Sequence, residues 1–285
     1  MKTLASDYPL PELAWALGVS RSGYYRWRKG QESPRAGSAR QLTQQISEIH
    51  QQSRQTYGSP RVCAQLRRQG IRTSENRVAR LMRRAGLKAR TKRAFRPRTT
   101  DSRHPHPPAP NRLLTTPAPA APDQIWVADI TYIWTRSGWA YLAAVMDRCS
   151  RKILGWSIGP SLETTLVKEA LQKALAVRRP AAGLLHHSDR GSQYASSAFQ
   201  ALLHSWHILP SMSALGRCYD NAAMESFWST LKTELIHQSA FQDLADARLA
   251  LFDYIETFYN RKRLHSALGF KSPVEFEQEL MYKNN

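Results

Sequence analysis

Apolar residues recur every three or four positions up to about residue 87 and gather into short dense runs after about residue 122, and the two textures predict different elements. In LPELAWALGVSRSGYYRWR, Leu13, Leu17 and Val19 supply one apolar face, Gly18 a turn and Ser20 an N-cap, which reads as a helix-turn-helix. A second helical hairpin follows in PRVCAQLRRQGIRTSENRVARLMRRAGLKAR. There Val62, Leu66 and Ile71 face Val78, Leu81 and Met82 across a turn at Gly70. Tyr24, Tyr25 and Trp27 have a spacing that favours core over stacking on a nucleic acid. Beyond Pro122, QIWVADITYIW, GWAYLAAVMD and KILGWSIG predict three successive antiparallel strands. A helix (Glu163 to about Arg178), a buried strand (Gly183 to His187), a helix (Ser196 to about His207), a short strand near Ile208–Met212 and a long helix (Asp220 to about Leu235) follow. A further amphipathic helix is expected from Phe241 to about Tyr259. The order describes a mixed α/β sheet with helices on both faces.

Charge divides the chain in the same place. The formal net charge is +19, and residues 1–100 hold 22 of the 41 Lys and Arg but 5 of the 22 Asp and Glu. A polyanion is the expected partner, because cations that neutralise phosphates release counterions and supply most non-specific nucleic-acid affinity. The exposed helical faces carry Arg67, Arg68, Arg77, Arg80, Arg83 and Arg84, which would be the DNA grip. Eight of the 16 prolines lie between Pro97 and Pro122, an extended, semi-rigid stretch. The expected divisions are therefore 1–32 and 33–96 (two helix-turn-helix modules), 97–122 (linker), 123–240 (the α/β core) and 241–285 (helix and basic tail). The longest apolar run, Trp139–Met146, is far too short for a bilayer, and the first residues lack a signal-peptide core, so no membrane partner and a cytoplasmic location are expected. Three scattered cysteines, Cys63, Cys149 and Cys218, make neither a disulfide framework nor a metal knuckle.

Three carboxylates carry the chemistry. Asp129 interrupts an apolar strand, where an unpaired charge costs on the order of several kcal/mol. Asp189, in LHHSDRGSQY, follows a strand at the end where α/β sheets form crevices. Glu225, in NAAMESFWSTLKTEL, shares a helical face with Lys232, seven positions on, while Ala223, Phe227 and Leu231 face a core. Two Asp and a Glu suit Mg²⁺ or Mn²⁺, and two such ions about 3.5–4 Å apart would serve the attacking and leaving oxygens of a phosphodiester displacement. Each acid also has a plain structural reading: a backbone partner for Asp129, a turn cap for Asp189, a surface position for Glu225. Zinc at His186, His187, Asp189 and His204 is the weaker reading, for want of ligand spacing. Asp147, at a strand end beside Arg148, reads as pairing or capping ahead of an approach to the metals, and Asp220 and Asn221 read as N-caps.

The motifs VSRSGYYRW, YGSPRV, WVADITYI, HHSDRGSQYAS, CYDNAAMESFWSTLKTEL and YNRKRLHSALGFKSP span nearly the whole chain. Together they resemble DDE transposases, most closely the second-reading-frame (OrfB) proteins of the insertion-sequence-three family, whose core is like that of retroviral integrases. The resemblance implies an α/β, ribonuclease H-like core with a five-stranded mixed sheet, preceded by all-α helix-turn-helix modules. It implies catalytic and metal-holding roles for Asp129, Asp189 and Glu225, two Mg²⁺ or Mn²⁺ ions per site, and a place for Lys232 near the DNA end. The implied reaction is cleavage and strand transfer at element ends, on the bacterial nucleoid, by a homo-oligomer working with an upstream-frame (OrfA) partner. Arg190 and, in the tail, Arg261 and Arg263 are further candidate DNA contacts, with docking on the core as the other reading for Arg261, Arg263 and His265. The rival functions are an integrase-like recombinase and a non-catalytic regulator that occupies element ends.

Overall fold

The structure is a computed structural model that describes residues 3–5, 7–30, 32–90, 109–213 and 221–284. Two compact units divide the chain, residues 1–89 and 90–285. Both modules expected separately before residue 90 fall in the first unit, as helices α1 (Leu10–Ala16), α2 (Arg21–Arg28), α3 (Pro34–Gln52), α4 (Ser59–Arg68) and α5 (Glu75–Arg84). Ser20 caps α2 as expected, its hydroxyl accepting from Gly23 N at 3.1 Å. Of the expected apolar face Leu13 is buried, whereas Leu17 and Val19 are exposed and Ala14 and Tyr24 are buried in their place, because helices this short each bury little more than one residue. In the α4–α5 pair, Val62, Leu66, Val78, Leu81 and Met82 are buried, and Ile71 is partly so.

The second unit is built on a five-stranded sheet of order β3-β2-β1-β4-β5. Strands β1 (Ile125–Thr135), β2 (Gly138–Asp147) and β3 (Ile153–Gly159) form an antiparallel meander. Strands β4 (Leu185–Ser188) and β5 (Leu209–Met212) add in parallel on the other side of β1. Helices α6 (Thr164–Arg178), α7 (Ser192–Ala195), α8 (Ser197–Ser205), α9 (Ala222–Glu234), α10 (Leu244–Phe252) and α11 (Pro273–Asn284) complete it. Successive strand side chains point to opposite faces. Trp126 and Ala128 pack into a core with Leu166, Ala170, Leu171 and Phe199 of α6 and α8, which leaves Asp129 for the face under α9. Gly155 of β3 lies against α6 so closely that an added Cβ would sit 2.6 Å from Ala174 N. Any larger residue there would push helix and sheet apart.

The C-terminal segment is not a separate tail. The single helix expected to Tyr259 ends as α10 and continues as a π-helical stretch, Asp253–Tyr259, and α11 was not foreseen. Asn260 exchanges two hydrogen bonds with the backbone of Ile153, at 2.9 and 3.0 Å. Glu277 of α11, buried, accepts from Ser150 Oγ at 2.7 Å and pairs with Lys152 and Arg178. Ion pairs of this kind are invisible to a helix-by-helix reading, because the partners lie 125 and 99 residues apart. Of the Pro-rich stretch, 97–108 lies outside the described residues. The rest is anchored at one point: Leu113 is buried and Arg112 N donates to Ser211 Oγ of β5 at 3.0 Å. Among the described residues no helix is long and apolar enough to cross a membrane.

Candidate active site

Parallel pairing of β1 with β4 sets Val127 beside His187, and continuing that register by two residues sets Asp129 beside Asp189. Asp129 accepts from Ile130 N at 2.8 Å on Oδ1 and from the Trp228 indole at 2.9 Å on Oδ2. Asp189, just past the end of β4, accepts from Gly191 N at 3.0 Å. A Cβ on residue 191 would come within 2.9 Å of Gln193 Oε1 and 3.1 Å of Asp189 Oδ1, so a larger residue there would have to displace those two side chains. Glu225 stands exposed on the first turn of α9, and Lys232 is half-buried two turns later on the same helix.

Electrostatics tie these groups together. Burial first, then the charge of Asp189, and last that of Glu225, push the Asp129 carboxyl up from 3.8 to about 7 against its two hydrogen bonds. Burial lowers the Lys232 ammonium from its usual value, and Asp129 partly restores it. Tyr194, buried beside the two aspartates, is held protonated well beyond the usual phenol range by burial and then by their charges. The structure thus brings Asp129 and Asp189 together with Glu225 within electrostatic reach. It does not close them into a ligand shell: among the described residues no three His, Cys, Asp or Glu side chains converge as a metal site. A cation still fits the donor set, because two adjacent carboxylates, one of them resisting ionisation, are relieved by positive charge.

The zinc reading fails because its four residues do not converge. His186 is buried among Tyr194 and Phe199, with burial and then His187 holding its imidazole down at about 3. His187 is buried between the Ser211 and Ser213 hydroxyls, at 2.9 and 3.1 Å. His204 is exposed on α8. Asp147 caps a turn, accepting from Ser150 N at 2.7 Å and Asp123 N at 2.7 Å, so pairing and not metal explains it. Asn221 makes no cap bond; its amide donates to Ala128 O at 3.1 Å and ties α9 to β1. Asp220 and Cys218 lie outside the described residues. Trp228 and Tyr194 were not singled out from sequence. Trp228, three positions after Glu225, shares its helical face, and that spacing would have flagged it.

Comparison with known proteins fits this geometry. Residues 119–218 and 207–273 match integrase core domain families, and residues 38–95 an HTH-like domain family. The chain is 44% identical over 263 residues to the insertion element IS600 uncharacterized 31 kDa protein of Shigella sonnei, covering 92% of this chain and 96% of that one. It is 39% identical over 278 residues to transposase InsF for insertion sequence IS3A of Escherichia coli (strain K12), covering 96% of each. The chain belongs to the IS3 family of transposases. Its integrase core is that of the DDE polynucleotidyl transferases. Among solved structures, the HTLV-2 integrase catalytic core domain in complex with magnesium aligns with 55% of the transposase and 98% of that chain, at 18% identity and a TM-score of 0.42.

The arginines expected to grip DNA divide into two sets. In the transposase Arg67, Arg68, Arg80, Arg83 and Arg84 are exposed, whereas Arg77 is half-buried and donates to Ser38 Oγ at 3.4 Å. Arg261 is exposed. Arg263 is a correction: it is buried and its guanidinium grips Glu234 of α9, at 2.7 Å for the closest pair, so docking wins over DNA contact. Arg190 is likewise used inside the fold, where its Nε donates to Ser213 O at 2.7 Å and ties the turn after β4 to the end of β5.

Proposed function

We propose that this transposase cuts DNA at the ends of its element and joins the freed 3′-hydroxyl to a new phosphodiester, with Asp129, Asp189 and Glu225 as the catalytic, metal-holding acids. The observation that carries the reading is the nearness of Asp129, on β1, to Asp189, just past the end of the parallel neighbour β4, with Glu225 on the helix bonded to β1. Mg²⁺ or Mn²⁺, two ions per site, would supply Lewis-acid stabilisation of the attacking and leaving oxygens. The chain's own part is positional. Ile130 N and the Trp228 indole fix the Asp129 carboxylate, Gly191 N fixes that of Asp189, and exposed Glu225 has room to close on the pair. Lys232 makes no ion pair among the described residues and offers its ammonium to a phosphate of the DNA end.

In cleavage, water adds to phosphorus and the 3′-oxygen leaves with a proton, giving a 3′-hydroxyl and a 5′-phosphate. In joining, that hydroxyl adds to a second phosphodiester and expels another 3′-oxygen, so the number of diesters is conserved and no covalent protein–DNA species forms. The substrate is double-stranded DNA, element ends and target, held by the basic helices of the first unit. The family resemblance supports a homo-oligomer on paired ends and an upstream-frame partner, at the nucleoid. Strand transfer with a labelled, pre-cut end duplex and Mg²⁺ or Mn²⁺ tests this. Joined product is expected from the wild type and not from Asp189→Asn or Glu225→Gln, all three binding the duplex alike. Undiminished joining by either variant removes that acid from the site.

A further inference from the structure

Helix α9 is registered on β1 by two side-chain hydrogen bonds that fall on consecutive strand residues. Asn221, at the helix boundary, donates to Ala128 O, and Trp228, two turns on, donates to Asp129 Oδ2. Glu225 lies between them in the sequence, so the two bonds fix both the height and the rotation of the turn that presents it. Asn221 is buried at 6% exposure and forgoes capping its own helix to make its bond.

Trp228 is equally buried, and its freedom to turn is small. Its ring packs on Phe227 at 4.8 Å between centroids, and Phe227 packs in turn on Tyr259 of the C-terminal segment at 4.8 Å. With Ile130 N on Oδ1 and the indole on Oδ2, each oxygen of Asp129 has one donor, which sets the plane of the carboxylate. A carboxylate oxygen has two lone pairs, so each keeps one for a further partner. An apolar ring at position 228 would leave Oδ2 without its anchor and the carboxylate held on Oδ1 by Ile130 N, with its plane no longer set from both sides.

We propose that Trp228 is a positioning residue for strand transfer: its indole N–H holds the Asp129 carboxylate in the orientation that receives the metal and, together with Asn221, sets the placement of Glu225. The role rests on the reading of the three acids given above. It differs from packing because it depends on one N–H.

The test is a calorimetric Mn²⁺ titration of the full chain on its pre-cut end duplex, alongside the joining reaction at varied Mn²⁺. Five proteins are compared: wild type, Trp228→Phe, a chain with benzothienylalanine at 228 that keeps the shape but replaces N–H by sulfur, Phe227→Leu, and Asp129→Asn. Trp228→Phe and the isostere are expected to bind duplex normally and to need roughly tenfold to a hundredfold more Mn²⁺, the scale on which the outer partners of metal ligands act. Phe227→Leu is expected to melt earlier with unchanged Mn²⁺ dependence. The inference is overturned if the isostere matches wild type in Mn²⁺ dependence, or if Phe227→Leu shifts it as much. A wild type that neither takes up Mn²⁺ beyond Asp129→Asn nor joins DNA overturns the three-acid reading itself, a result distinct from the other two.

Discussion

Asp129 is an acid whose surroundings oppose its ionisation, and that has a consequence for stability. Its folded-state pKa near 7 lies above the unfolded 3.8, so between those values the folded chain holds a proton that the unfolded chain has lost. Stability of the metal-free protein therefore carries a contribution from this group that is full below about pH 4 and is lost as pH rises through about 7. His186 acts in the opposite direction below its unfolded 6.5, because its folded form resists protonation. The comparison of wild type with Asp129→Asn cancels His186, which both proteins share. Metal-free Asp129→Asn is expected to melt above wild type at pH 8, with the gap closing toward pH 4. Equal melting temperatures at pH 8, read by differential scanning calorimetry, would mean that the carboxylate is not disfavoured in the fold.

At the scale of elements, α9 is held from two sides, by β1 through Asn221 and Trp228 and by the C-terminal segment through the Glu234–Arg263 pair. Burial alone would lower the Arg263 pKa, but hydrogen bonds and charge from Glu234 more than offset it and keep the guanidinium ionised. Tyr254 adds a hydrogen bond to Glu234 at 2.7 Å. Arg263→Ala would strand a buried carboxylate and is expected to cost about 3–5 kcal/mol in chemical denaturation, whereas replacing both partners by methionine should recover much of it. If the single and the double variant unfold alike, the pair is not coupled.

Which parts of this were legible in sequence follows from how far each signal reaches. Apolar runs predicted the five strands and the antiparallel meander of the first three, because a strand's burial is written in its own residues; that β4 and β5 add on the far side of β1 was not read from them. The polar face of α9, with Glu225 and Lys232 seven apart, was legible for the same reason. Sequence left Arg263 open between DNA and docking on the core and missed the bonds of Asn221 and of Arg112 in the Pro-rich stretch, because their partners (Glu234, Ala128, Ser211) are set by the tertiary fold. An arginine in a basic run looks the same whether it faces solvent or a buried glutamate.

At the scale of the whole molecule, charge separates two jobs. The first unit carries exposed arginines on α4 and α5, and the acids lie in the second, where residues 101–285 hold 19 Lys and Arg against 17 Asp and Glu. Replacing Arg80, Arg83 and Arg84 together by alanine should weaken end binding and flatten its salt dependence by up to about 2.7 in log–log slope, at about 0.9 per lost phosphate contact. Joining at saturating DNA should be kept. An unchanged slope in fluorescence anisotropy would place the DNA elsewhere.

The buried grip of Arg263 on Glu234 also sets an order in time. The helix bearing Glu225 lacks one of its two anchors until residue 263 has been made, and at ribosomal speeds roughly 10 s separates Asp129 from Arg263. The basic helices have emerged well before that. Each newly made molecule therefore passes through an interval in which the basic helices are complete while the helix bearing Glu225 is not yet held from both sides, and synthesis of residue 263 ends that interval.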